Sequence, residues 1–341
     1  MMTSIIAPIL VFAVIVLVHE GGHFVTAKLT GMRVDEFAVG FGPKLWSCRR
    51  GETEYSLRLI PLGGYNKIAG MEPGPSKDPR AFSNKPYWAR LMVICAGSFM
   101  NIILAFLIFT GVIYAVGIQH FPDIPVVGEV LSDSPAARAG IEKGDRIKTI
   151  GSTSIEKWMD IPGAMKDKAS RVVAVTVERN GAERTLTVIP KASEEGRAVV
   201  GIMPYVESRS VSMGEAAFLG FDRCGYILKM VVYGIAGAVT GSGNADVAGP
   251  IGVARMAGDV AVVGIAPFLL FIAVLSLNLG FLNLLPVPML DGGLFFITLV
   301  EMVTRRKLPE KALYYVQMTG LTILIALFLF ATMKDITALI K

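Results

Sequence analysis

Two of the chain's three histidines stand four residues apart, in His19-Glu20-Gly21-Gly22-His23. On a helix that spacing puts both imidazoles on one face, one turn apart, where they can share a metal ion. Glu20 lies beside them and could take a proton from water activated by such a metal. A carboxylate within an apolar run is costly unless it has a partner or a task, which weighs against two merely packed histidines. Gly21 and Gly22 weaken the helix and leave room for another backbone or a substrate.

A catalytic zinc takes three protein ligands and keeps a fourth position open. The remaining histidine, His120, follows the second apolar run at its outer end, whereas His19 and His23 lie in the inner half of the first. A carboxylate is therefore expected as the third ligand. Asp291 fits best, in the segment NLLPVPMLDGG that begins at Asn283. Glu301 lies ten residues further on, about 15 Å if helical, and reads as a solvated residue near a helix end. Pro286 and Pro288 break the helix there and free backbone groups, which is tolerated at membrane depth where they face protein or water. Asn283 could donate to a substrate or a developing oxyanion, or it could join two helices.

The elements that must carry these residues are membrane spans. Hydrophobic residues make up 53% of the 341 and charged residues 18%, with a mean hydropathy of +0.56. Apolar runs at about 5–29, 91–116, 260–285 and 312–333 are each long enough to cross a bilayer core of about 30 Å. The first is a poor signal peptide, because no Lys or Arg precedes it and HEGGH occupies the expected cleavage region. The stretch 215–240 carries Asp222, Arg223 and Lys229 and reads as an amphipathic helix lying in the interface. Cys48, Cys95 and Cys224 form neither a metal nor a disulfide spacing.

Charge orients the spans. Residues 28–90 hold 11 Lys or Arg against 6 Asp or Glu. Arg305, Arg306, Lys307 and Lys311 precede the fourth span, while residues 117–259 are nearly neutral, with 16 bases and 17 acids. The 28–90 and 286–311 loops are thus expected in the cytosol, with both termini and the middle segment outside. With four spans, HEGGH and Asp291 come to the same side.

The middle segment reads as a soluble domain. VVAVTVERNGAERTLTVIP alternates as two strands around Asn180-Gly181. SPAARAGIEKGDRIKTI, from Ser134, reads as a short helix, a turn and a strand, and resembles a bacterial PDZ domain. Such domains add an extended peptide to a sheet edge, and the peptide-facing loop is expected near Val200, Gly201, Ile202 and Met203. Nearer the N-terminus, the alternation in Tyr55, Leu57 and Leu59 suits a strand.

HEGGHF, FAVGFGPKLWS, YSLRLIPLGGYNKIAG, NLGFLNLLPVPMLDGG and the PDZ-like insertion together resemble the site-2 protease family, nearest its bacterial regulator-of-sigma-E protease group. The resemblance covers nearly the whole chain. It implies one Zn2+ held by His19, His23 and Asp291, with Glu20 as catalytic acid/base. It also implies substrate handling at Asn283, Pro286 and Pro288, and a membrane-associated β-hairpin at about 37–68. The free edge of that hairpin, with Tyr55, Leu57 and Leu59, could hold a substrate extended. Three features depart from the family pattern. Ser98 stands where AGPxxN has Pro, Leu294 stands where many members have His, and there is room for a single PDZ domain.

The expected architecture is a polytopic α-helical membrane protein of about four spans with a β-hairpin and an inserted α+β PDZ domain. Its parts are an N-terminal membrane part at 1–116, the PDZ domain at 120–205, amphipathic linker helices at 206–259 and a C-terminal membrane part at 260–341. The expected activity is that of a zinc metalloendopeptidase cutting transmembrane segments of single-span proteins in a bacterial inner membrane. Anti-sigma factors or remnant signal peptides are the substrates that the resemblance implies, with the bilayer as partner and no nucleic acid. A zinc transporter, or a PDZ adaptor with a vestigial metal site, are the rival readings.

Overall fold

The computed structural model describes residues 2–71, 76–192, 198–241, 249–306 and 308–340. The chain divides into two compact units, one of Met1–Ala115 with Ser212–Lys341 and the other of Val116–Val211.

The first unit opens with helix α1 (Met2–Leu29), strands β1 (Val34–Arg50) and β2 (Thr53–Ile68), and helix α2 (Tyr87–Val116). Among the described residues four helical segments are long and apolar enough to cross a membrane: Ile5–Leu29, Tyr87–Val116, Ile265–Asn283 and Lys311–Ala338. In lipid only internally bonded backbone is viable, so runs this apolar are held as helix along their whole length.

The β-element is more than a hairpin. The second half of β1 meets the first half of β2 around Gly51, pairing Trp46 with Leu57 and Cys48 with Tyr55. The first half of β1 is registered against both halves of β2, so Phe37 faces Tyr55 on one side and Asn66 on the other, and Val39 faces Leu57 and Gly64. Tyr55 and Leu57 therefore lie in an inner strand whose backbone is already paired on both sides. The edge role expected of them does not hold; residues 64–68 pair with β1 alone in this register. Glu36 ties the layers together, accepting from Ser56 Oγ at 2.8 Å, Arg58 Nη2 at 2.7 Å and the Tyr65 hydroxyl at 2.9 Å. Partial burial raises its carboxyl pKa, but the bonds from Arg58, Ser56 and Tyr65 outweigh this and hold it at about 2.

The second unit is β-rich. It contains β3 (Ile118–His120), β4 (Val127–Val130), α3 (Pro135–Ala139), β5 (Arg146–Ile150), β6 (Thr153–Ser154), α4 (Asp160–Met165), β7 (Val173–Arg179), β8 (Ala182–Val188), β9 (Lys191–Ala192), β10 (Ala198–Val199), β11 (Ile202–Pro204) and β12 (Glu207–Arg209). A four-stranded sheet runs β6-β5-β7-β8. Asn180 and Gly181 both have positive φ, the conformation that a two-residue turn needs to match the twist of its strands. Ser134 caps α3 by accepting from the Ala137 amide. Buried Val127, Ile147, Ile150, Val175 and Val177 form the core. His120 lies in β3, paired with Glu207 of β12.

The chain completes the first unit with α5 (Met213–Thr240), α6 (Pro250–Val263), α7 (Ile265–Asn283), α8 (Asp291–Thr304) and α9 (Glu310–Ile340). The third apolar run is thus not one helix from 260. Gly264, at φ 149°, separates α6 from α7 in a conformation that favours glycine. Ala7, Val11 and Ile15 of α1 pack with Ala257, Phe268 and Ile272 of α6 and α7. Ala105 and Phe109 of α2 pack with Cys224 of α5 and Ala273 and Leu277 of α7. Asp335 of α9 accepts from the Gly249 and Gly252 amides at the start of α6.

Candidate metal centre

Helix α1 presents His19 and His23 to α2, and both rings are buried. The approach is close because of two glycines. A Cβ on Gly22 would stand 2.6 Å from the Ala96 carbonyl oxygen, and one on Gly97 would run into the His23 ring. The chain reaches the same place a third time at the head of α8. Past Asn283 it turns through Pro286 and Pro288, takes a left-handed conformation at Met289 (φ 76°) and enters α8 at Asp291. Gly292 and Gly293 sit against the Leu284, Leu285 and Val287 carbonyls, where a Cβ would clash. The position of Asp291 in the first turn of α8 also suits a carboxylate, since the helix dipole is positive there.

His19 Nε2 and His23 Nε2 are 3.3 Å apart, and each is 3.5 Å from Asp291 Oδ2. Ligands of a tetrahedral zinc at about 2.0–2.2 Å would be separated from one another by about 3.3–3.6 Å. The triangle therefore fits zinc in both size and donor type. Neighbouring groups set the rings for this. His23 Nδ1 donates to the Val93 carbonyl at 2.7 Å, which leaves Nε2 as the free lone pair. Asn101 Nδ2 lies 3.4 Å from His19 Nδ1, and the buried Asn101 amide oxygen has no partner among the described residues. Turning that amide over would bring its oxygen to accept the Nδ1 proton and again free Nε2. The Ser98 hydroxyl donates to Asp291 Oδ2 at 3.1 Å.

Other residues singled out in the sequence take up distinct places. Glu20, half-buried, accepts from Asn66 Nδ2 at 2.7 Å. Asn283 Nδ2 is 3.4 Å from His19 Nε2, so its amide stands at the metal-facing edge of the ring. Pro288 lines a cavity of about 440 Å3 together with Asn66, Ile68, Met71, Met289 and Asp291. Pro286 is exposed. In the second unit the Val200 and Gly201 carbonyls accept from Ala136 and Leu131 amides, and Ile202 and Met203 pair with Val130 and Glu129.

Glu301 corrects its sequence reading. It is buried and accepts from Arg90 Nη2 at 3.0 Å, and the Arg90 guanidinium also rests on the Phe82 and Tyr87 rings. Asn66 and Arg90 were not singled out from sequence, and Ser98 stood there only as a departure from AGPxxN, with no contact to the site assigned to it or to the Asn101 of that pattern. The available signal was on α2, where Arg90, Val93, Gly97 and Asn101 recur on one face at helical spacing.

The profile of peptidase family M50 matches residues 7–327, which takes in the whole His19–His23–Asp291 cluster. The chain belongs to peptidase family M50. This M50 peptidase is 37% identical to a protein of Clostridium acetobutylicum provisionally named a zinc metalloprotease, over 98% of this chain and 97% of that one. It is 27% identical to the zinc metalloprotease RasP of Bacillus licheniformis, over 99% of this chain and all of that one. A solved PDZ domain from an SdrC-like protein of Listeria monocytogenes matches 26% of this chain and 93% of its own length at 18% identity, with a TM-score of 0.22. This M50 peptidase is a zinc metalloprotease, and its apolar helices make it a membrane protein.

Proposed function

We propose that this M50 peptidase hydrolyses peptide bonds in or beside the transmembrane segments of single-span proteins. In this reading His19, His23 and Asp291 hold the zinc and Glu20 moves the proton. The observation that carries it is the 3.3–3.5 Å triangle of ligand atoms, made by two buried histidines of α1 and the partly buried Asp291 of α8, with a carboxylate one residue from the first histidine. Bound zinc supplies Lewis acidity, which polarises a carbonyl and makes water acidic near neutral pH.

Glu20 takes one proton from the attacking water as its oxygen bonds to the scissile carbonyl carbon. It returns that proton to the amide nitrogen as the C–N bond breaks, so the leaving amine departs neutral. Asn283 supplies an amide beside the reacting carbonyl. A helical substrate hides its carbonyls in its own hydrogen bonds and must unwind to react. Residues 64–68, of which Asn66, Lys67 and Ile68 line the cavity at Asp291, would replace those bonds by strand addition. Charge placement supports a cytosolic site in a bacterial inner membrane, with the termini and the Val116–Val211 unit outside. The helix-turn-strand pattern from Ser134 supports a PDZ domain there, holding peptide ends near Val200–Met203 and filtering substrates. Anti-sigma factors and remnant signal peptides fit such a filter. The amphipathic stretch 206–259 would link the two parts along the interface.

The test uses purified enzyme in detergent and a single-span test protein whose apolar segment contains Gly and Pro. Glu20→Gln should abolish cleavage and keep one zinc per chain. Cleavage by the Gln variant would overturn the assignment.

A further inference from the structure

We infer that Asn66 is the positioning residue for Glu20, an assignment that rests on the proposed role of that carboxylate. Its amide nitrogen donates twice, to Glu20 Oε2 at 2.7 Å and to the Glu20 main-chain oxygen at 2.8 Å. One side chain therefore fixes both the carboxylate and the turn of α1 that carries it. Among the described residues no donor reaches Oε1, which leaves that oxygen for the proton being moved.

The direction of the amide is determined. Turned over, its oxygen would face two oxygens of Glu20. As it stands, Oδ1 is buried and accepts from no group among the described residues. An amide with an orphaned acceptor is an unfavourable choice for a buried position, so its two bonds to Glu20 are what the side chain contributes. The strand carrying it is pressed onto α1 at the same point. A Cβ on Gly64 would stand 3.0 Å from Glu20 Cγ and 3.1 Å from Val16 Cγ1. Asn66 is also held from the other side, registered opposite Phe37 of β1. The sheet thus hydrogen-bonds Glu20 through Asn66, and the element expected to receive substrate also orients the acid/base.

The experiment compares Asn66→Val and Asn66→Asp with the parent and with Glu20→Gln on the same single-span test protein. Losing the orientation of a general base should lower kcat about 10- to 100-fold, with KM within about twofold and one zinc per chain retained. Zinc content and detergent melting temperature identify a variant that fails to fold, and the isosteric Asp variant serves if Val does not accumulate. Unchanged kcat in both variants, with Glu20→Gln inactive, would overturn the role of Asn66 alone. A raised KM at parental kcat would also overturn it, by making Asn66 a substrate contact. Activity in Glu20→Gln would instead remove the reading on which it rests.

Discussion

The Ser98 hydroxyl donates to Asp291 Oδ2 at 3.1 Å, joining the middle of α2 to the first residue of α8 across 193 positions of sequence. Ser98 is fully buried and stands where the family pattern has proline, a residue with no side-chain donor. Here a hydroxyl orients the carboxylate that completes the metal triangle. Partners of this kind typically contribute 10- to 100-fold in metal affinity. Ser98→Ala should weaken zinc binding by about that factor, measured by competition with a chelator, while Ser98→Thr keeps most of it. Equal affinity in Ser98→Ala and the parent would show that Asp291 needs no such support.

The pair of Arg90 and Glu301 pins the other end of α8. Both side chains are buried and their charges meet at 3.0 Å. Removing one partner strands the other charge, at a cost of about 3–5 kcal/mol, whereas replacing both by apolar residues is often neutral. Arg90→Met and Glu301→Leu should each lower the detergent melting temperature, and the double variant should recover most of the loss. Additive losses in the double variant would contradict a specific pair.

These two contacts show where sequence reading stopped. The spacing of His19 and His23 states that they share a face, and span-counting brings Asp291 to their side of the membrane. Both inferences need only helix geometry and charge bias. Glu301 was misread as solvated because its partner lies 211 residues away, and no local pattern reports such a distance. Tyr55 and Leu57 show the same limit in the sheet. Alternation identifies which face a strand residue occupies but not which strands flank it, and β1 is paired on both sides of its first half. Gly264 was within reach, since a glycine among apolar residues is a possible break, but hydropathy alone ran through it.

Glu36 makes the sheet pH-dependent. Its carboxyl is held at about 2 against an ordinary 4.5. A group with a depressed folded-state pKa contributes stability above its unfolded pKa and loses it as pH falls through the folded one. Protection of the 64–68 amides from hydrogen exchange, corrected for intrinsic rates, should hold above about pH 4.5 and decline toward pH 2. Glu36→Gln should remove that pH dependence. Persistence of the same profile in the Gln variant would place its origin elsewhere.

The central claim is tested most directly by zinc stoichiometry, measured on detergent-purified protein by elemental analysis after brief dialysis against a weak chelator. The parent and Glu20→Gln should each retain one zinc per chain, while His19→Ala, His23→Ala and Asp291→Ala should each fall to near zero with the fold intact. Full zinc occupancy in Asp291→Ala at the parent's affinity would contradict the account.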